Sequence, residues 1–393
     1  MADLTLGDVI GLLEEHYPPG TAEDWDAVGL VAGDPSAPVR TVLLAVDPAP
    51  EVVAEALDRG ADLLLTHHPL YLRGTSSVAA TTPKGRAVHS LITGGCGLYT
   101  AHTNADAAVD GVAHALADLL DLQDVRPIDP LPAPALDTLV TFVPRESTTT
   151  LLDALAAAGA GRLGDYERAA FTSPGTGTFR PLPGADPTIG AVGTVEEVAE
   201  DRLEVVLPRE RRDAVLAALR SAHPYEEPAL TLIEQPRSDS AVGTGRIGRL
   251  PRPLTLRDFA DRVAAVLPRT PQGLRVGGDL SADVSTVAVC GGAGDSLLAR
   301  VRSLGADVYL TADLRHHPAA EHLDGGRPYL VDATHWASEW PWLPRAAEVL
   351  RSGAAARGAR LDLHVSTLVT DPWDLHLGQE NSSEPPTTEG ARQ

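Results

Sequence analysis

Two adjacent histidines, His67 and His68, close the apolar run Leu63-Leu64-Leu65-Thr66-His67-His68-Pro69, and a histidine–carboxylate pair, His335 and Glu339, stands near the far end of the chain. Imidazole nitrogens and carboxylate oxygens are ligands for divalent transition metals. A third segment, His102-Thr103-Asn104-Ala105-Asp106, adds one more group of each kind after another strand-like stretch. Taken singly, each signal is ambiguous. A lone histidine has several commoner roles, and His102–Asp106 reads equally well as an Asx turn or an N-cap for the helical run through Val112 and Leu116. The spacing narrows the choice. His335 and Glu339 are four apart, so on a helix they share one face, and Pro69 stiffens the turn that carries both early imidazoles out of their strand. Five donors of this type exceed what one catalytic zinc takes and suit two metals about 3.5–4 Å apart with one carboxylate bridging them. Glu339 or Asp106 is the candidate bridge. The set contains no thiolate, so Zn, Fe, Mn and Co are all admissible.

The elements that must bring these residues together are written in the chain twice. Thr41 to Asp47 is strand-like, Glu51 to Arg59 helix-like and Gly60-Ala61-Asp62-Leu63-Leu64-Leu65-Thr66 strand-like again; the order recurs as Thr286 to Cys290, Ser296 to Ser303, and Gly305-Ala306-Asp307-Val308-Tyr309-Leu310-Thr311. Gly-Ala-Asp-x-x-Leu-Thr anchors the match. Each copy continues through a helical stretch into a further strand, Leu98 to Ala101 and Tyr329 to Val331. Both therefore place their donor residues just past strand C-termini, the edge where parallel α/β sheets bind ligands.

Composition bounds the partners. A chain of 393 residues, 43% hydrophobic, supports two or three domains. A net charge of −22, with Lys84 the only lysine, disfavours an electrostatic grip on nucleic acid or on anionic membrane. No apolar run is long enough to span a bilayer, and the N-terminus lacks the pattern of a signal peptide. Cys96 and Cys290 fall in or beside strand-like stretches and read as reduced core residues. A cytoplasmic protein is expected.

Between the copies the character changes. Thr138 to Glu146 and Leu203 to Glu210 are both strand-Pro-Arg-Glu units running into helical stretches, a pattern expected of a ferredoxin-like α+β module. Pro127 to Pro134 on one side and Pro236 to Gly248 on the other have linker composition. The expected organisation is an α/β metal-binding domain made of residues 1–126 and 250–375, an inserted ferredoxin-like domain at 136–235, and a disordered tail at 378–393.

Thr66-His67-His68-Pro69, His102-Thr103-Asn104-Ala105-Asp106 and His335-Trp336-Ala337-Ser338-Glu339 together resemble the Nif3-like dinuclear-metal-centre proteins known as GTP cyclohydrolase 1 type 2 homologs. The resemblance covers all but the tail. It implies metal ligands at His67, His68, Asp106, His335 and Glu339, two divalent ions, and a ring-shaped homohexamer with its sites facing an internal cavity. The insertion, with Tyr166-Glu167-Arg168, Phe171 and His223 to Pro228, is similar to the extra PII-like domain of longer bacterial members; it reads as an assembly or covering element more readily than as a sensor. Thr311-Ala312-Asp313-Leu314-Arg315-His316-His317 matches a further family segment in which glycine usually stands at the position of Ala312. Asp313, His317 and His102 are thereby the catalytic or orienting candidates. Trp336, Trp340 and Trp342 read as packing residues. The expected activity is metal-dependent hydrolysis in which acidified water attacks a small, nucleotide-type substrate, with Arg73 or Arg315 available to a triphosphate. The other expectations are a metal-binding hexameric scaffold without turnover and, least favoured, nucleic-acid processing inside the ring.

Overall fold

The computed structural model describes residues 3–237 and 239–377, so the expected tail lies outside the described residues. The chain divides into two compact units, Met1–Pro130 with Ala241–Gln393, and Leu131–Ser240.

The larger unit is a mixed α/β body whose two large sheets repeat one plan, beside a two-stranded pairing of Leu4–Thr5 with Pro38–Val39. In the first, parallel strands Thr41–Ala45, Leu63–Thr66 and Gly97–Thr100 lie side by side, with Asp362–Val365 parallel at one edge and Gly29–Ala32 antiparallel at the other. In the second, Asp283–Ala293, Val308–Ala312 and Tyr329–Ala333 are parallel and adjacent, flanked by antiparallel Arg275–Gly277 and Asp239–Thr255, with Gln123–Pro132 at the edge beyond the latter. The duplication extends to single hydrogen bonds. Asp62 Oδ2 accepts from the backbone N–H groups of Arg40 and Thr41 at 2.8 and 2.9 Å, and Asp307 Oδ2 from those of Ser285 and Thr286 at 2.9 and 2.8 Å. The aspartate of each Gly-Ala-Asp thus fixes the start of the neighbouring strand, which sets the parallel register. Each copy is also preceded by a helix, Leu6–His16 or Leu256–Val266, whose threonine N-cap, Thr5 or Thr255, accepts from the N–H of the aspartate three residues on.

The strands read as apolar runs because both faces are covered. Val42, Leu44, Leu63 and Leu65 face helices Leu6–His16 and Trp342–Ala356, while Leu43, Leu64 and Leu98 face Pro50–Asp58 and Pro83–Thr93. Each such leucine is worth about 1.5–3 kcal/mol of transfer free energy. The helix Trp342–Ala356 belongs to the second half of the sequence yet covers the first sheet, so the halves interlock. Trp336 and Trp342 are packed into that core, as their spacing suggests. Cys96 and Cys290 are buried and free.

The smaller unit runs strand Leu136–Pro144, helix Thr148–Ala157, strands Ala170–Phe179 and Glu196–Pro208, helix Arg212–Ala222 and strand Leu230–Glu234. In space the antiparallel order is last, first, third, second. Leu139, Val143, Leu203, Val205 and Leu207 meet Leu151, Leu155, Val215 and Leu219 on one face. Buried Asp137 is paired by both Arg209 and Arg212, which offsets the cost of desolvating its charge. No helix among the described residues is long and apolar enough to cross a membrane.

Candidate metal centre

Strand geometry decides which way the two early histidines point. The strand Leu63–Thr66 ends in Thr66, whose hydroxyl donates to the carbonyl of His68 at 2.9 Å and folds the chain back on itself. His67 and His68 then leave the sheet with ring centroids 5.1 Å apart. The next strand ends one residue before Ala101, and the short helix Thr103–Ala107 that follows carries Asp106. From the second half, the helix His335–Glu339 starts after Thr334, and its four-residue spacing puts His335 and Glu339 one turn apart on a single face.

Glu339 lies at the centre. Its Oε1 is 3.0 Å from His335 Nε2 and 3.5 Å from His67 Nε2, and its Oε2 is 3.0 Å from His68 Nε2. His68 Nε2 and His335 Nε2 face each other at 3.1 Å. Ring nitrogens of His67, His68 and His102 fall within 4.8 Å of one another, as do the donor atoms of His68, His335 and Glu339. Asp106 Oδ1 is 3.8 Å from His67 Nε2. Residues far apart in the sequence are thereby gathered at one point.

The outer nitrogens of all four imidazoles are occupied. Nδ1 of His67 meets the carbonyl oxygen of Ala101 at 2.9 Å, that of His68 meets Asp47 at 2.7 Å, that of His102 meets Asp26 at 2.8 Å, and that of His335 meets Asp313 at 2.7 Å. A donating Nδ1–H leaves Nε2 as the lone-pair nitrogen, the arrangement seen where histidine ligates a metal. Two inner atoms are buried and make no well-formed hydrogen bond: His67 Nε2, and Glu339 Oε2, whose only close polar neighbour is His68 Nε2 at 3.0 Å. Such atoms cost about 1–3 kcal/mol each when left unsatisfied, more if charged, which a bound cation relieves. The donor set therefore fits divalent transition-metal ions.

Without a metal the site neutralises itself through protons. Burial pulls the His68 imidazole down, but the Glu339 carboxylate and the bond to Asp47 outweigh it and raise it to about 11; His335 rises against burial to about 10 through Glu339 and Asp313. Burial raises the carboxyl of Glu339, yet the three neighbouring imidazoles hold it well below the usual range. Asp106 is pushed up to about 6, chiefly by burial. Burial and the proximity of His67 lower His102 to about 4.

The other expected site residues divide. Asp313 takes a left-handed conformation, φ 55°, and aims its carboxylate at His335. Ala312 itself is buried at the end of its strand, so the left-handed position falls one residue after the usual glycine. His317 is exposed on the helix His316–Asp324, where its ring meets that of His316. Arg315 pairs with Asp295.

Four contributors escaped the sequence reading. Asp47 follows its strand directly, a position that could have signalled it. Asp26 sits in an irregular segment with no periodic cue. Gly292 has φ 63°, and a Cβ there would lie 2.4 Å from Glu339 Oε1 and 3.1 Å from His335 Nε2. The run Gly291-Gly292-Ala293-Gly294, at the place in the second copy that Asp47 occupies in the first, was the available hint. Arg246 completes the frame. Its buried guanidinium donates to the carbonyls of Gly243 and Gly245 at 2.6 and 2.7 Å and to that of Ala108, which caps the helix bearing Asp106.

With this geometry in hand, comparison with known proteins places the chain. The profile of the Duf34/NIF3 (NGG1p interacting factor 3) family matches residues 4–372. The chain belongs to the DUF34/NIF3 family. A Mycobacterium tuberculosis relative named "GTP cyclohydrolase 1 type 2 homolog" is 53% identical over 371 residues, covering 94% of this chain and 97% of the relative. Among solved structures, a Bacillus cereus protein related to NIF3 is 34% identical with a TM-score of 0.76, and a Staphylococcus aureus protein is 28% identical with a TM-score of 0.81; each alignment covers 96% of this chain and all of the other. The mixed α/β fold with several sheets is thus that of DUF34/NIF3 structures.

Proposed function

We propose that this DUF34/NIF3 protein is a metal-dependent hydrolase acting on a small nucleotide-type substrate. The observation that carries the reading is the set of four imidazoles, each oriented through Nδ1, around a buried Glu339 carboxylate and a buried His67 Nε2 that makes no hydrogen bond. His67, His68, His335, Glu339 and Asp106 would hold two divalent ions, with Glu339 best placed to bridge because its two oxygens face different histidines. Ions bound there supply Lewis acidity and lower the pKa of water. The chain's own groups fix geometry: Asp47, Asp26 and Asp313 hold the rings. His102, whose ring is kept neutral by burial and by His67, is suited to offer a lone pair as a hydrogen-bond acceptor rather than to carry a proton.

The names of the curated relatives point to GTP as the first substrate to try. Metal-loaded protein is expected to release formate or phosphate from GTP or a related nucleotide, and His68→Ala to abolish both metal uptake and turnover. Metal-loaded protein that turns over neither GTP nor phosphodiesters, while His68→Ala leaves assembly unchanged, would instead favour a metal-binding scaffold. The strand order of the inserted unit supports a ferredoxin-like class for it; the homohexamer is implied by the family resemblance alone, and light scattering would show it as six chain masses.

A further inference from the structure

Among the described residues, Trp25 is an exposed aromatic residue in direct ring contact with a histidine of the candidate site. Its indole is 59% exposed, and its ring centroid lies 5.9 Å from that of His102 with the planes at 80°. His102 in turn lies 5.2 Å from His67 and 5.5 Å from His68. The segment around Trp25 is tied to the site on both sides. The N–H of Glu23 donates to Thr103 Oγ1 at 3.0 Å, the N–H of Asp26 donates to the carbonyl of Glu23 at 2.9 Å, and the carboxylate of Asp26 takes bonds from His102 and from both the N–H and the hydroxyl of Thr103. The indole is therefore preorganised by the same aspartate that orients a site histidine. Trp336 and Trp342 are spent on packing, at 4% and 0% exposure; Trp25 is not.

We infer that Trp25 is the platform on which the planar ring of the substrate stacks, and that this ring is a nitrogen heterocycle bearing N–H groups. A large indole left in water at a site rim gains most by covering a flat π-surface. Glu23 and Asp24, both exposed beside it, present carboxylates that accept N–H donors and repel anions, so a phosphate is disfavoured at this end of the site. This assignment rests on reading the site as one for a nucleotide-type substrate, and it concerns binding rather than turnover.

The test is equilibrium binding by calorimetry to metal-loaded full-length wild type, Trp25→Ala and Trp25→Phe, using GMP, AMP and ring-free ribose 5-phosphate as probes, with metal content measured on each sample. Expected are GMP binding weakened about tenfold or more in Trp25→Ala, retention within about threefold in Trp25→Phe, unchanged binding of ribose 5-phosphate, and equal metal content. The inference is overturned if wild type binds neither nucleotide, if Trp25→Ala binds GMP as wild type does, or if ribose 5-phosphate loses as much as GMP. Loss of metal, or of assembly with nucleotide affinity intact, overturns it too, since the indole would then serve the site's frame or a contact between copies. Tight, tryptophan-dependent GMP binding without hydrolysis of any nucleotide would remove the hydrolase reading and leave the platform standing.

Discussion

The orientation of each imidazole is set by an oxygen on its far side, and this makes the outer carboxylates as consequential as the inner donors. Asp47→Asn keeps the size of the side chain but removes the charge that His68 Nδ1 meets at 2.7 Å. Loss of such an outer partner typically costs about 10–100-fold in metal affinity, and competition with a chromophoric chelator is expected to show a drop in that range with the fold intact. Protonation gives a second expectation. In the metal-free protein at pH 7, His68 and His335 carry protons, with values near 11 and 10, whereas a ligating imidazole is neutral. Metal binding therefore expels protons, and affinity rises with pH. Calorimetry at pH 7 in two buffers of different ionisation enthalpy should give different apparent heats; identical heats would contradict the protonated network. The same shifts stabilise the metal-free fold. Because the folded values exceed the ordinary imidazole value of 6.5, that contribution is full below about pH 6.5 and is lost progressively up to pH 10–11.

At the level of elements, the site depends on short helices that cannot hold themselves. Thr103–Ala107 and His335–Glu339 have five residues each, too few for stability without tertiary support. For the first, Arg246 supplies that support from a distant strand; burial lowers its guanidinium to about 10, so it stays charged at pH 7. Arg246→Met leaves several buried carbonyls without a donor and is expected to destabilise the protein by about 2–4 kcal/mol. Urea denaturation would measure this, and a parallel metal titration should show weaker binding because Asp106 rides on the loosened helix. For the second helix, Gly291 and Gly292 give the strand end room to approach Glu339 and His335, which no side chain would allow.

Over the whole molecule, the insertion enters and leaves the α/β unit at adjacent strands. Gln123–Pro132 and Asp239–Thr255 are neighbours in the six-stranded sheet, and a Cβ on Gly243 would lie 2.3 Å from the carbonyl oxygen of Asp129. The cores of the α/β unit and all the site residues are contributed by residues outside 131–240. Replacement of 131–240 by a short turn is therefore expected to leave metal stoichiometry unchanged, as measured by elemental analysis of the purified variant. Metal-free but folded protein from that variant would mean that the insertion contributes to the site.

Much of this was legible in the residues themselves, for local reasons. Gly-Ala-Asp-x-x-Leu-Thr repeats because the same strand, buried on both faces, needs the same apolar run and the same aspartate to hold its neighbour, so the duplicated sheets could be read directly. His67-His68-Pro69 and the four-residue spacing of His335 and Glu339 disclosed donors because strand ends and helix faces have fixed periods. What the sequence could not disclose was contact between segments without period. Asp26, Trp25 and Arg246 reach the site from loops or from a strand remote in the chain, and only packing decides that His102 turns its Nδ1 toward Asp26 and its Nε2 toward the cluster. For His317 too the fold decides the surroundings: its ring is exposed on the helix His316–Asp324 and meets that of His316. Chemistry of the donors was thus inscribed locally, while their convergence, tautomers and open faces were settled by which carbonyls and carboxylates the folded chain happened to bring behind each ring.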